Sequence, residues 1–292
     1  MILHRMTARA DQVDALREAL TRLDRKTNEE WMASLDSRKR AELQFHDLDR
    51  SAGTPDDPEH LDRQTSNKKY YSTTGASRRF IESWLAEHAK GRVFLDYACG
   101  NGLFSLAAAR AGAALAVGLD ISRTSIQNAR ALSGAAGLTG NTWFVQGDCE
   151  NTGLPDESVD TVLCSGMLHH LDLNHAFPEL RRIMRPGARL LAYEALNYNP
   201  VLKLYRRLTP GMRTEWEKRH ILSHRELRFA RRFFDVEAVR YWHLFSLFAT
   251  PFRSTPLFGS ALAVTNGLDE IALQIPGLRL MAWMFTFELV KR

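Results

Sequence analysis

An α/β fold, with a parallel sheet covered by helices on both faces, is predicted by three features of this sequence. The first is an alternation of short apolar runs with helix-periodic segments between residues 92 and 194. The second is the stretch Val93-Phe94-Leu95-Asp96-Tyr97-Ala98-Cys99-Gly100-Asn101-Gly102, an apolar run that ends in an acid and a small-residue loop. Leu103-Phe104-Ser105-Leu106 follows it, so the stretch reads as a buried strand, a tight turn and the start of a helix. The third is that two further apolar runs also end in an acid, at Asp120 and Asp148. Right-handed crossovers bring the carboxyl ends of parallel strands to one edge, where ligands bind.

Taken in order, residues 7–50 read as helical, with apolar positions at Val13, Leu16, Leu20 and Leu23 and then Trp31, Leu35, Leu43 and Leu48. Residues 51–66, rich in Gly, Pro and Asp, read as a loop. Tyr70 and Tyr71 come just before a helix at 77–88, placed to close over a ligand or to pack on the core. Strands are expected near 92–97, 114–120, 142–147, 158–165 and 187–195, with helices near 102–111, 122–133 and 173–185. Pro178 falls early in the last of these, where proline is tolerated, and Arg185-Pro186-Gly187 ends it. Beyond Asn197, helices are expected at 200–208 and 223–233 and strands at 234–242 and 280–290. Between those two strands lies an apolar stretch, 244–277, punctuated by Pro251, Pro256, Gly259, Gly267 and Pro276. The chain divides into an amino-terminal helical appendage or lid, 1–76, and a main domain, 77–292, with insertions at about 197–224 and 244–279.

Gly100 and Gly102 leave no Cβ where a ligand must touch the backbone, and the free N–H groups of a helix start favour anionic groups. A carboxylate at Asp96 would repel a pyrophosphate and attract a cationic amino group. The dinucleotide fingerprint Gly-x-Gly-x-x-Gly/Ala is incomplete, because its third position is Ser105. Asp120, at the end of the second strand, suits the two hydroxyls of a ribose.

Residues 95–102 resemble the nucleotide loop of class I S-adenosylmethionine (SAM)-dependent methyltransferases, Asp/Glu-x-Gly-x-Gly-x-Gly, and the similarity runs over about 80–195. One departure is Ala98, standing where that pattern has its first glycine. The resemblance implies a Rossmann-like seven-stranded sheet, with 244–277 inserted between the sixth and seventh strands. It implies SAM as cofactor and S-adenosylhomocysteine as product. By the same resemblance Asp96 sits near the methionyl ammonium and the backbone of Ala98, Cys99, Gly100, Asn101 and Gly102 along the methionyl part. Asp120 takes the ribose, Ile121 packs on the adenine, and Asp148 with the N–H of Cys149 reads the adenine edge. Cys164 and Tyr71 complete the expected cofactor set.

Met167-Leu168-His169-His170-Leu171 resembles the Leu-His-His-Leu exit of the fourth strand in small-molecule methyltransferases. The absence of Asn/Asp-Pro-Pro-Tyr there counts against a nucleic-acid base as substrate. In-line methyl transfer from a sulfonium needs mainly alignment and desolvation, with a base when the acceptor is a hydroxyl or a protonated amine. His169, His170 and Glu194 are the candidates for base or orienting group, with His46, Asp47 and His220 as possible entrants from the appendages. Residues 198–224 concentrate aromatic and cationic side chains, and 244–277 contributes Phe245, Leu247, Phe248, Phe252 and Phe258. The expected acceptor pocket is apolar, with Tyr70, Arg206, Arg213 and His220 binding the substrate; packing or a homodimer contact is the alternative use of these aromatics.

Composition sets the remaining bounds. With 45% hydrophobic and 25% charged residues and a net charge of +5, the chain reads as globular. Arg38-Lys39-Arg40, Arg206-Arg207 and Arg231-Arg232 sit in helix-like surroundings and read as solvated faces rather than a nucleic-acid groove. The start lacks the apolar core of a secretory signal, no apolar run reaches the ~18–20 residues of a membrane span, and three cysteines form neither a disulfide framework nor a zinc pattern. No metal is expected, and a reduced cytoplasm fits best. The function these features imply is methylation at O, N or activated C of a small molecule. The rival readings are a SAM-dependent cyclisation or rearrangement without methyl transfer, a nicotinamide-dependent oxidoreductase, and a non-catalytic SAM-binding protein.

Overall fold

The computed structural model describes residues 2–51 and 68–292. Most of the segment expected to be a loop at 51–66 lies outside the described residues, as does the side chain of His46. The helical amino-terminal region is three helices, α1 (Ile2–Asp24), α2 (Asn28–Ser34) and α3 (Ser37–Ser51). A capping box between Thr27 and Glu30 starts α2, and the extended backbone of Leu35 ends it. Two further helices follow, α4 (Lys68–Tyr71) and α5 (Gly75–His88).

The chain then alternates through β1 (Val93–Tyr97), α6 (Leu103–Arg110), β2 (Leu115–Asp120), α7 (Arg123–Ala135), β3 (Thr142–Gln146), β4 (Val159–Ser165), α8 (Leu173–Ile183) and β5 (Met184–Ala195). After β5 come α9 (Pro200–Leu208), α10 (Glu217–His220), α11 (His224–Ala230), β6 (Asp235–Trp242), α12 (Phe258–Ala272) and β7 (Met284–Val290). The seven strands form one sheet in the order β3-β2-β1-β4-β5-β7-β6, parallel except for β7, which is antiparallel to both its neighbours. β1 and β2 are buried at every position, as strands covered on both faces must be. The order reverses between β1 and β4, so the crevice beyond Tyr97 and Ser165 is the switch point of the sheet.

Three expectations need adjustment. Leu16 and Leu20 of α1 are fully buried in the same core as β1, β2 and β4, so the appendage shares the core of the sheet. Pro178 lies in the middle of α8, not near its start: the helix runs from Leu173 only to Ile183, and Arg185, Pro186 and Gly187 already belong to β5. The stretch 244–277 holds more regular structure than its prolines and glycines imply: 3₁₀ turns at Ser246–Phe252 and the helix α12, which spans both Gly259 and Gly267.

Candidate active site

The loop after β1 is held by its own carboxylates. Asp96 is buried, and one of its oxygens accepts from both the backbone N–H and the hydroxyl of Ser105, each at 2.9 Å. It therefore pins the first turn of α6 to β1, and burial pushes its pKa up to about 7. Asp120 is buried as well, accepting from the N–H of Gly100 at 2.8 Å and of Ser122 at 2.9 Å. These bonds tie the loop after β1 to the end of β2. Ala98 adopts φ 61, the left-handed region that the family pattern reserves for glycine, a conformation that costs a side-chain-bearing residue ~1 kcal/mol. Gly102, at φ 77, has a different constraint: a Cβ there would meet the Phe144 ring at 2.5 Å.

The amino-terminal helices close over this edge. Lys39 pairs with Asp148 at 2.6 Å and with Glu150 at 3.0 Å. Arg38 Nη2 donates to both carboxylate oxygens of Glu150, at 2.6 and 2.7 Å, its Nη1 donates to the carbonyl of His170 at 3.0 Å, and the guanidinium lies over the Trp216 ring. Ile121 packs against Trp31, Leu35 and Leu43. Arg38 and Lys39 are thus not a solvated face; they bind carboxylates that no local pattern connects to them. Asp148 and Ile121, expected at the adenine, are covered by α2 and α3 in this conformation.

Beyond the fourth and fifth strands lies a buried glutamate–histidine pair. Glu194 is fully buried; one oxygen accepts from the N–H groups of Met167 at 2.9 Å and Leu168 at 2.7 Å, the other from His169 Nδ1 at 2.6 Å. A carboxylate can only accept here, so Nδ1 carries the proton and Nε2 is the basic nitrogen. His169 Nε2 lies 4.0 Å from Glu217, a carboxyl whose pKa burial raises and which meets Arg213 Nε at 3.3 Å. His170 is held differently, by Glu42 of α3 at 2.8 Å. Glu42, Glu150 and Glu217 were not singled out from the sequence, because only the tertiary fold brings them to the histidines.

His169 and His170 line a cavity of about 990 Å³. Its walls come from the exit of β4, from α4, from α9 and from the stretch before α12. Tyr70, Tyr71, Arg206 and Arg213 all line it. Tyr70 meets Tyr205 and Trp283 edge-on, and Tyr71 meets Trp283 in the same way. Arg206 has only long contacts, 3.4–3.5 Å, to the Leu196 carbonyl and Asn197; burial and the neighbouring Arg213 lower its pKa to about 10.

Three expected site residues are elsewhere. The Cys164 side chain is fully buried in the core, because inward-facing positions of β4 pack beneath the sheet and not at its edge. His220 is exposed, stacked on Trp216 with ring centroids 3.7 Å apart, and does not line the cavity. Tyr71 belongs to the large cavity rather than to the loop after β1. Cys99 packs with Leu106, Ile126, Ala129 and Phe144, and Asn101 accepts from Asn128 at 3.3 Å. The buried thiol of Cys149 lies in the core, and the Tyr97 hydroxyl donates to its carbonyl. Among the described residues, no cluster of His, Cys, Asp and Glu could hold a metal ion.

Residues 95–192, from β1 to β5, match a family model described as a methyltransferase domain. This stretch is a methyltransferase domain. Its relatives include the 27-O-demethylrifamycin SV methyltransferase of Amycolatopsis mediterranei, 32% identical over 101 residues, which are 34% of this chain and 37% of the relative. Another is the ubiquinone/menaquinone biosynthesis C-methyltransferase UbiE of Haemophilus ducreyi, 31% identical over 40% of this chain and 47% of the relative. The matches span less than half the length of these curated relatives. Among solved structures, the geranyl diphosphate C-methyltransferase of Streptomyces coelicolor A3(2) superposes with a TM-score of 0.61 over 88% of this chain and 99% of its own, at 13% identity. The [4+2]-cyclase SpnF superposes with a TM-score of 0.52 over 74% of this chain and 82% of its own, at 18% identity. At these identities the likeness is one of fold, and it covers the methyltransferase domain together with its flanking elements.

Proposed function

We propose that this chain is a SAM-dependent methyltransferase acting on a small, largely apolar molecule that carries an anionic group. The observation that carries the reading is the juxtaposition of two parts: a methyltransferase domain, and a histidine held by a buried glutamate at the mouth of its fourth strand, facing a large cavity. The residues after β1 and β2 fit the cofactor. A carboxylate offers about four acceptor positions, and the two bonds to Gly100 and Ser122 orient Asp120 at the strand edge. Asp120 would hold the ribose and the backbone of 98–102 the methionyl part. Asp148, held by Lys39 and by the N–H of Glu150, would offer a remaining acceptor position to the adenine edge.

SAM supplies a methyl group on a cationic sulfonium. Glu194 fixes the His169 ring through Nδ1, so that in the neutral ring Nε2 is the acceptor on the cavity side, where it can take a proton from an acceptor hydroxyl or amine. Arg206 and Arg213 would pair with the acceptor's carboxylate or phosphate, and the surrounding aromatics would exclude water. Geranyl diphosphate, bound in one structural neighbour, belongs to this class of apolar anions. The test is formation of S-adenosylhomocysteine from SAM with a panel of apolar carboxylates and phosphates. His169→Ala should lower turnover by ~10²–10⁴ and leave cofactor affinity unchanged. Wild-type turnover in that variant would remove the base from the mechanism. The fold is shared with a cyclase, so the rival reading is a rearrangement without methyl transfer; an acceptor converted with no S-adenosylhomocysteine formed would establish it.

A further inference from the structure

The rim of the large cavity differs from its interior. Val201 and Phe248 both line the cavity, yet they are 71% and 67% exposed, so they stand at its mouth. From Val201 the apolar surface continues along α9 through Leu204 and Leu208, 55% and 72% exposed, at the i+3 and i+7 positions of one helical face. Phe252 and Leu257, which follow Phe248 in the chain, are exposed as well. No residue of α9 is buried, so its apolar stripe is not used to pack the helix onto the core. An exposed apolar stripe of this kind marks a surface that meets something else.

The charges around it have one sign. No Asp or Glu occurs from Ala195 to Thr214 or from Leu244 to Leu268, the two segments that form the rim. The same segments carry Lys203, Arg206, Arg207, Arg213 and Arg253. Lys203 and Arg207 are exposed on α9 itself. A helix with leucines on one face and flanking Lys and Arg is the pattern of an element that lies in a lipid–water interface. A second copy of this chain fits less well, since a two-fold contact would set the same cations against each other. The outer stripe of α12 is the contrasting case: Val264, Leu268 and Ile271 are exposed, but no basic residue accompanies them within the helix.

We propose that the rim formed by α9 and the 3₁₀ turns at Ser246–Phe252 docks on an anionic lipid surface. Leu204 and Leu208 enter the boundary between headgroups and acyl chains, and Lys203 and Arg207 meet the phosphates. The cavity then opens toward the lipid, and an apolar acceptor reaches it without crossing bulk water. No helix among the described residues is long and apolar enough to cross a membrane, so the contact is peripheral. Docking is independent of the methyl-transfer reading, because it needs neither cofactor nor acceptor.

The experiment is flotation of the full chain with vesicles of phosphatidylglycerol and phosphatidylcholine, and with vesicles of phosphatidylcholine alone. The bound fraction should be at least tenfold higher on the anionic vesicles and should fall as sodium chloride is raised. Leu204→Glu with Leu208→Glu should remove binding without changing the melting temperature. Lys203→Glu with Arg207→Glu, which leaves the apolar stripe intact, should remove the preference for anionic vesicles. Absence of flotation at low salt, or equal flotation of the leucine variant, would overturn the proposal. So would a wild-type dimer, measured by light scattering, that the leucine variant converts to monomer; that result would assign the face to a second copy.

Discussion

The two halves of the crevice are built on different principles. On the β1–β3 side the polar groups are mutually satisfied: Asp96 with Ser105, Asp120 with Gly100 and Ser122, and Asp148 with Lys39. On the β4–β5 side a large cavity remains, and Arg206 faces it with, among the described residues, no ion pair and only long contacts to the Leu196 carbonyl and the Asn197 amide oxygen. Apart from Lys39, which reaches Asp148 from 109 residues away, the first half is made of backbone and of contacts within 20 residues in sequence. The second is assembled from side chains as distant as Tyr70, His169, Arg206 and Trp283. A ligand recognised by backbone geometry can be shared by a whole family, whereas an acceptor recognised by distant side chains is particular to one chain.

The largest expected effect lies on the second side. Glu194→Ala would leave the N–H groups of Met167 and Leu168 and the His169 ring without their buried acceptor. Breaking a buried charged network of this kind costs about 3 kcal/mol or more, to be read by urea denaturation. A loss below ~1 kcal/mol would mean that the exit of β4 is held by other contacts.

Charge reversal at Arg206 or Arg213 should come next. Either variant should raise the Michaelis constant of an anionic acceptor at least tenfold, equivalent to ~1.4 kcal/mol, with SAM affinity unaltered. Steady-state kinetics with saturating SAM would show it. If both ligands weaken together, the two halves are not independent and the comparison fails.

The effect on the first side depends on pH. The Asp96 carboxyl titrates at about 7 in the folded chain, because burial outweighs its bonds to Ser105, against ~3.9 when unfolded. Its folded pKa is raised, so its contribution to stability is fully present below pH ~4 and is lost as pH rises through 7. In Asp96→Asn that component disappears. The melting temperature of the variant relative to wild type should therefore climb between pH 4 and 8 and level off once pH passes the folded pKa. A constant offset across that range would show that Asp96 is ionised throughout.

How much of this was legible in the sequence follows from the same contrast. The strands and the loop after β1 were readable because apolar runs, small residues and terminal acids are local signals. The helix at Pro200–Leu208 was readable from its bounds, proline at the start and a Pro-Gly turn after it. Arg38 and Lys39 were misread as solvated because their partners, Glu150 and Asp148, are more than 100 residues away. His220 was misassigned because aromatic and cationic density does not say which way a side chain points. Stacking on Trp216 turned it outward. Cys164 was misassigned because alternation along β4 sends its side chain into the core.

The central claim is that the loop after β1 and the acid ending β2 bind SAM, independently of the cavity beside them. Titration calorimetry of S-adenosylhomocysteine into the wild type, Asp120→Ala and Arg206→Glu tests it most directly. The account predicts one site per chain in the wild type, an affinity loss of about tenfold or more in Asp120→Ala from a missing acceptor worth ~1–3 kcal/mol, and wild-type affinity in Arg206→Glu. Unchanged affinity in a folded Asp120→Ala, or no binding by the wild type, would contradict it.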